Sequence, residues 1–149
     1  MKPFALARVL QLAERRSETL SRAVKTAHGV WLRARGRQVR LGGLRAAHVA
    51  QLAAELRHGV AAARLLEENR LQCAQTAELL AAQAAIDAAH RDWQTRLRAW
   101  LEAEQRVKAL RLLEQRHRAH LAVQQTRIEQ RQHDELVALT QRHVGRRSS

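Results

Sequence analysis

The chain has few of the residues on which a compact globular core depends. Aromatic residues make up 3% of its 149 residues, with no tyrosine, one phenylalanine and one proline. The single cysteine, Cys73, excludes an internal disulfide, and its helical neighbours predict a small packed side chain. Charged residues interrupt every apolar run well short of the roughly twenty residues that span a bilayer. The first residues also lack the pattern of a secretory signal.

Alanine, leucine and arginine dominate what is present, and this composition is typical of long exposed helices. The formal charge is +13, and no acidic residue occurs between Glu18 and Glu55. A face this basic attracts polyanions, acidic protein surfaces or anionic lipids, or it simply keeps an alanine-rich rod in solution. The basic residues of this interval are Arg22, Lys25, Arg33, Arg35, Arg37, Arg40 and Arg45.

Apolar and small residues in the first third of the chain recur at alternating steps of four and three, which predicts a coiled-coil helix over about residues 3–57. Pro3 suits the first turn of such a helix. The pair Gly42 and Gly43 predicts a weak point within the helix rather than its end, since apolar spacing resumes directly afterwards. The residues of this seam are Leu6, Leu10, Ala13, Ser17, Leu20, Val24, Ala27, Trp31, Ala34, Gln38 and Leu41.

His58 and Gly59 predict a turn at about residues 57–64, followed by a second helix over about 65–142 and a disordered tail at 143–149. The seam of the second helix from Trp100 to Arg142 mixes apolar with polar residues, so it needs a partner helix. We therefore predict an all-α fold: residues 1–149 form a single long antiparallel two-helix coiled-coil hairpin. Because the second helix is longer, its last ~25 residues, from about His117, overhang the first as an unpaired helix.

No arrangement of residues in the sequence predicts catalysis. The glycine pair lacks the spacing of a phosphate-binding loop, and the histidines lack a second ligand set for a metal. Asp134 and Glu135 are neighbours on a helix, so their side chains point about 100° apart and cannot share a proton. We expect no enzyme activity, no cofactor and no metal.

The residues considered so far leave two functions open. One is a basic rod that binds nucleic acid, although Trp31 occupies a seam position instead of interleaving with the arginines. The other is a generic structural coiled coil that forms a defined homo-oligomer through its seam.

Three stretches resemble a known family. FALARVLQLAERR at the N-terminus, RVKALRLLEQR at residues 106–116 after Trp100, and EQRQHDE at 129–135 are similar to the flagellar export stalk protein FliJ and its injectisome counterparts of the YscO (SctO) type. The resemblance covers nearly the full length. It does not separate a flagellar member from an injectisome member.

The resemblance implies a non-enzymatic coupling stalk, cytoplasmic and peripheral to the inner membrane. Such a stalk inserts its terminal end into a hexameric export ATPase, contacts the export gate, and has export chaperones as further partners; a small-molecule substrate and nucleic acid are not expected. The implied ATPase-binding residues are Val107, Leu110, Leu121, Ile128, Asp134, Glu135 and Leu136. The implied gate-binding residues are Gln38, Arg45 and Val49, although the family has tyrosines where Arg45 and Val49 stand.

Overall fold

The computed structural model describes residues 2–148 and contains two long helices, α1 (Ala7–Leu56) and α2 (Ala62–Arg147). No strand occurs in this part of the chain. The all-α fold class is confirmed, since the two helices pack against each other as those of a helical hairpin do. Contacts divide the chain into one unit of Met1–Arg16 with Glu104–Ser149 and a second of Ser17–Ala103. That these units form one domain stays a prediction, and Met1 and Ser149 lie outside the described residues.

The first helix begins at Ala7, later than the predicted start near residue 3. The Ala7 N–H donates to the Phe4 carbonyl at 3.1 Å, and this bond closes a turn ahead of the helix. Residues 2–4 are instead held by α2. The Phe4 ring lies 5.7 Å from the His117 ring, and His117 Nε2 donates to the Lys2 carbonyl at 3.1 Å. Pro3 therefore precedes the helix, because its neighbours contact α2 and not the first helical turn.

The turn between the helices lies at residues 57–61, within the predicted range. The N–H groups of His58 and Gly59 donate to the carbonyls of Glu55 and Leu56, at 3.0 and 3.4 Å. Gly59 has a φ of 86°, a backbone conformation that side chains disfavour, so a glycine suits this position. At Gly42, by contrast, α1 continues without interruption, as predicted.

The C-terminal end of α2 differs from the prediction of a helix ending near residue 142. The helix continues to Arg147, so residues 143–147 are helical and not a disordered tail; Ser149 lies outside the described residues. Gly145 costs about 1 kcal/mol in a helix interior, which is too little to end a long helix. Arg146 and Arg147 in the last turn favour the helix because they lie at the negative end of its dipole.

The unit that contains both chain ends has a small apolar core. Leu10 and Ala13 of α1 pack with Val107 and Leu110 of α2, and Val107 is the most buried at 1% exposed. An ion pair between Glu14 Oε1 and Arg111 Nη2, at 3.3 Å, lies beside this core. The two helices therefore run antiparallel here, since residues early in α1 meet residues late in α2.

The unit of Ser17–Ala103 is packed mainly through small residues and one aromatic cluster. Its buried side chains are Ser17, Ala27, Glu68, Ala82, Ile86 and Ala89. Trp31 of α1 stacks on Trp93 of α2, with centroids 5.1 Å apart, and His28 and His90 flank the pair. Cys73 is exposed, so the prediction of a packed cysteine is wrong: its position on α2 turns it away from the buried face.

A buried carboxylate lies near the turn. Glu68 is 2% exposed, and its Oε1 contacts His48 Nε2 of α1. Arg64 reaches both Glu68, at 3.6 Å, and Glu55, at 3.4 Å. These contacts link the end of α1 to the beginning of α2, and no feature of the sequence predicted them.

Candidate functional site

The C-terminal end of α2 is the largest exposed helical surface of its unit. Every residue from 122 to 148 is exposed, and Leu121 is the last that is half-buried. At His117, α2 meets the residues that precede α1, since Phe4 and Lys2 make their contacts there. From residue 122 onward, no hydrogen bond, ion pair or ring contact joins α2 to another segment of residues 2–148, as the predicted overhang requires.

One face of this exposed helix continues the buried seam of the paired part. At about 100° per residue, Leu110, Leu121, Ile128 and Leu139 point within roughly 20° of one another. Leu110 is 8% exposed, whereas Ile128 is 48% and Leu139 is 61% exposed. The same face therefore changes from packed to open along one helix, and the open part is an apolar strip of widely spaced residues.

An open cleft lies where this strip begins. It is lined by Lys2, His117, His120, Leu121, Gln124, Gln125 and Ile128. Its floor is the apolar face of α2, and its walls carry amide, imidazole and ammonium groups. Such a shallow surface suits side chains of a partner helix rather than an enclosed small molecule.

The structure does not bring the seven predicted ATPase-binding residues together. Val107 and Leu110 lie in the core, where they hold α1 and α2 together, so they cannot contribute to an open surface in this conformation. Leu121 and Ile128 lie on the open face of α2. Leu121 and Ile128 are thus more exposed than Val107 and Leu110.

Residues 134–136 lie on different sides of the helix. Glu135 points within about 20° of Ile128, whereas Asp134 points about 100° away from Glu135 and Leu136 about 80° away from Ile128. Only Glu135 of these three therefore belongs to the seam. Leu139 also lies on the seam, although it is not among the seven predicted residues.

Charges on the exposed end are mixed. Residues 122–148 contain five arginines and three acidic residues, a net charge of +2. Within residues 2–148, neither Asp134 nor Glu135 forms an ion pair, whereas Glu129 accepts a bond from Gln125 Nε2 at 3.1 Å. Two carboxylates are thus available to a basic partner beside the apolar strip.

The predicted gate-binding residues lie in the other unit. Gln38 is half-buried, and its amide donates to the Gln83 side-chain carbonyl of α2. Arg45 is half-buried as well, and Val49 is 47% exposed. Of the three, only Val49 presents an open apolar surface.

The described residues offer neither a metal centre nor a transmembrane helix. Within residues 2–148, no three His, Cys, Asp or Glu side chains are grouped closely enough to hold a metal ion. Neither α1 nor α2 contains a stretch apolar and long enough to cross a bilayer.

Two long helices that pack against each other define the class of all-α coiled-coil proteins. Comparison with protein families narrows this class: the family described as flagellar FliJ protein matches residues 1–146, and the chain belongs to that family. No curated protein and no solved structure matches the chain. The resemblance noted in the sequence is thereby confirmed, and the chain is a coiled-coil protein related to flagellar export, in a family of structural components rather than enzymes.

Proposed function

We propose that this protein is the coupling stalk of a type III export apparatus and that it inserts the exposed end of α2 into the central pore of the hexameric export ATPase. The observation that carries the proposal is the open seam of residues 122–148, which continues a buried face and has no partner among residues 2–148. An apolar strip that stays uncovered on a long helix is typical of a binding surface.

The strip supports a contact of moderate strength. Ile128 and Leu139 are about half exposed. Burying the open part of each contributes about 1–2 kcal/mol at 25 cal/mol per Å². Gln125, Gln132 and Glu135 separate the apolar residues, so most of the contact is polar. A small and polar interface suits a stalk that moves inside its partner instead of being held permanently.

Two pairs of substitutions test this assignment in the full chain. Ile128→Asp with Leu139→Asp places charge on the seam. Val123→Asp with Val144→Asp adds the same charge to the opposite face of the same helix, where both valines are at least 50% exposed. The assay is the turnover of the cognate export ATPase with increasing amounts of each protein.

We expect the seam variant to lose stimulation of the ATPase and the control variant to retain it. Removal of residues 121–149 should have the same effect as the seam variant. Circular dichroism should show equal helix content for both double variants, because all four side chains are exposed. Equal stimulation by the two variants, or no response of the ATPase to the unmodified protein, would contradict the proposal.

Contact with the export gate and with export chaperones is proposed on the family resemblance. Among the three residues implied for the gate, Val49 has the most accessible apolar side chain, and Arg45 is half-buried one helical turn earlier. Substitution Val49→Asp should weaken co-purification of the gate protein and leave ATPase stimulation unchanged. Loss of both together would argue against a separate gate surface.

A defined homo-oligomer is the outcome expected of a generic structural coiled coil. Light scattering separates it from the proposed stalk, for which we expect a single chain in solution. A stable oligomer that covers Ile128 and Leu139 would remove the open surface on which the proposal depends.

A further inference from the structure

The side of α1 that points away from α2 carries four basic residues without ionic partners. Lys25, Arg33, Arg37 and Arg40 are exposed, and none of them forms an ion pair within residues 2–148. The nearest basic residue before them, Arg22, has Glu18 at 3.9 Å. We call these four residues the outer basic face. Its charge is uncompensated because α1 has no carboxylate between residues 18 and 55.

The direction of this face follows from the helix period. Trp31 and Gln38 contact α2, through Trp93 and Gln83 respectively. Arg33 and Arg40 each lie two residues further along, which turns them about 200° away from those contacts. Arg33 and Arg40 therefore lie on the side of α1 opposite its packing with α2, and Lys25 and Arg37 flank them at about 100–140° from the two contacts.

A seven-residue repeat runs along the same side. Gly29, Gly36 and Gly43 are seven residues apart, and Arg33 and Arg40 lie between them with the same spacing. A Cβ at Gly29 would lie 3.5 Å from Arg33 Nη1, and one at Gly36 would lie 3.5 Å from Arg40 Nη1. Each guanidinium thus reaches back along the helix towards a glycine. The spacing of Arg33 and Arg40 is therefore the seven-residue period with which a second helix can lie alongside α1.

We propose that the outer basic face docks an acidic α-helix of a partner protein along α1. Charge complementarity selects the partner, since a row of carboxylates at heptad spacing would meet the uncompensated basic side chains. A second copy of this chain is a poor partner, because it has 14 acidic residues against 27 lysines and arginines.

The same observations disfavour nucleic acid as the occupant. Trp31 is the only aromatic ring of this basic segment apart from its histidines, and it is stacked on Trp93 at an interplanar angle of 14°. It is therefore unavailable to stack on bases, which single-strand binders require.

Fluorescence anisotropy with the full chain tests the proposal. The probe is a labelled helical peptide of about four heptads with two glutamates per heptad on one face. The comparison peptide has the same composition, with the glutamates spread around the helix. We expect the patterned peptide to bind about tenfold more tightly, with an affinity that falls as salt rises.

Variants locate the binding on the protein. Arg33→Glu with Arg40→Glu should abolish binding of the patterned peptide. Arg91→Glu with Arg98→Glu is the matched control, since these exposed arginines of α2 are also seven residues apart, and it should leave binding unchanged. Gly36→Ala should raise the melting temperature of the free protein, because alanine favours the helix and its methyl group makes only ordinary contacts there. The same substitution should weaken binding of the patterned peptide, because the methyl group obstructs the approach of a second helix.

Three outcomes would overturn the proposal. They are equal affinities for the two peptides, binding of a single-stranded oligonucleotide of the same charge at least as tight as that of the patterned peptide, and no measurable binding of the patterned peptide at low salt. The inference does not depend on the ATPase contact. The Arg33 and Arg40 variant should therefore stimulate the ATPase normally.

Discussion

Truncation of Val107 separates the residues that hold the helices together from those that are free to bind. Val107 is 1% exposed and packs with Leu10, Ala13 and Leu110. Val107→Ala removes two buried methyl groups, worth about 0.8 kcal/mol each, and leaves a cavity. We expect a loss of about 2–3 kcal/mol in the free energy of unfolding. Ile128→Ala, at a side chain 48% exposed, should change it by less than about 0.5 kcal/mol.

Urea denaturation followed by circular dichroism measures the overall change. Amide hydrogen exchange at residues 104–121 reports on the unit that contains Val107, in case the two units unfold separately. For stimulation of the ATPase we expect the opposite ranking of the two variants. Ile128→Ala should reduce the stimulation more than Val107→Ala does. If Val107→Ala leaves both stability and exchange unchanged, the assignment of Val107 to the core is wrong. Equal destabilisation by Ile128→Ala would mean that the end of α2 is covered in solution.

Three further predictions concern the turn and the packing of the other unit. Gly59→Ala should destabilise the protein by about 1 kcal/mol because of the positive φ, whereas Gly42→Ala should stabilise it by about 1 kcal/mol, both by urea titration. His48→Ala should cost about 1–3 kcal/mol because it removes a partner of buried Glu68, and replacing both residues by apolar ones should recover part of the loss. Trp93→Ala should cost about 3 kcal/mol and remove the exciton couplet of the stacked tryptophans in far-ultraviolet circular dichroism.

The helices could be predicted from the sequence because each residue of a heptad ladder repeats the same information. Leu10, Ala13 and Ala27 of the predicted first seam are buried, and the glycine at 59 marks the turn. The ends of the helices were less predictable. Their positions depend on contacts with the other helix, such as those of Phe4, or on balances of about 1 kcal/mol, such as Gly145 against the two arginines that follow it.

The candidate site could be predicted only in part. The spacing of residues predicts which side chains of α2 share a face, but it does not predict at which residue α1 ceases to bury that face. For that reason Val107 and Ile128 look equivalent in the sequence, although one is buried and the other open. The pairing of His28 and Trp31 with His90 and Trp93 is a further example, since contacts 59 to 65 residues apart require the register of the two helices, which neither helix specifies alone.

Site-specific photocrosslinking tests most directly whether the exposed end of α2 is the part that binds the export ATPase. A photoreactive phenylalanine derivative is placed at Ile128 or Leu139 on the seam and, as a control, at Leu80, which is 67% exposed in the other unit. We predict a covalent product with the ATPase from both seam positions and none from Leu80. A product from Leu80 alone, or no product from any position under conditions in which the protein stimulates turnover, would contradict the account.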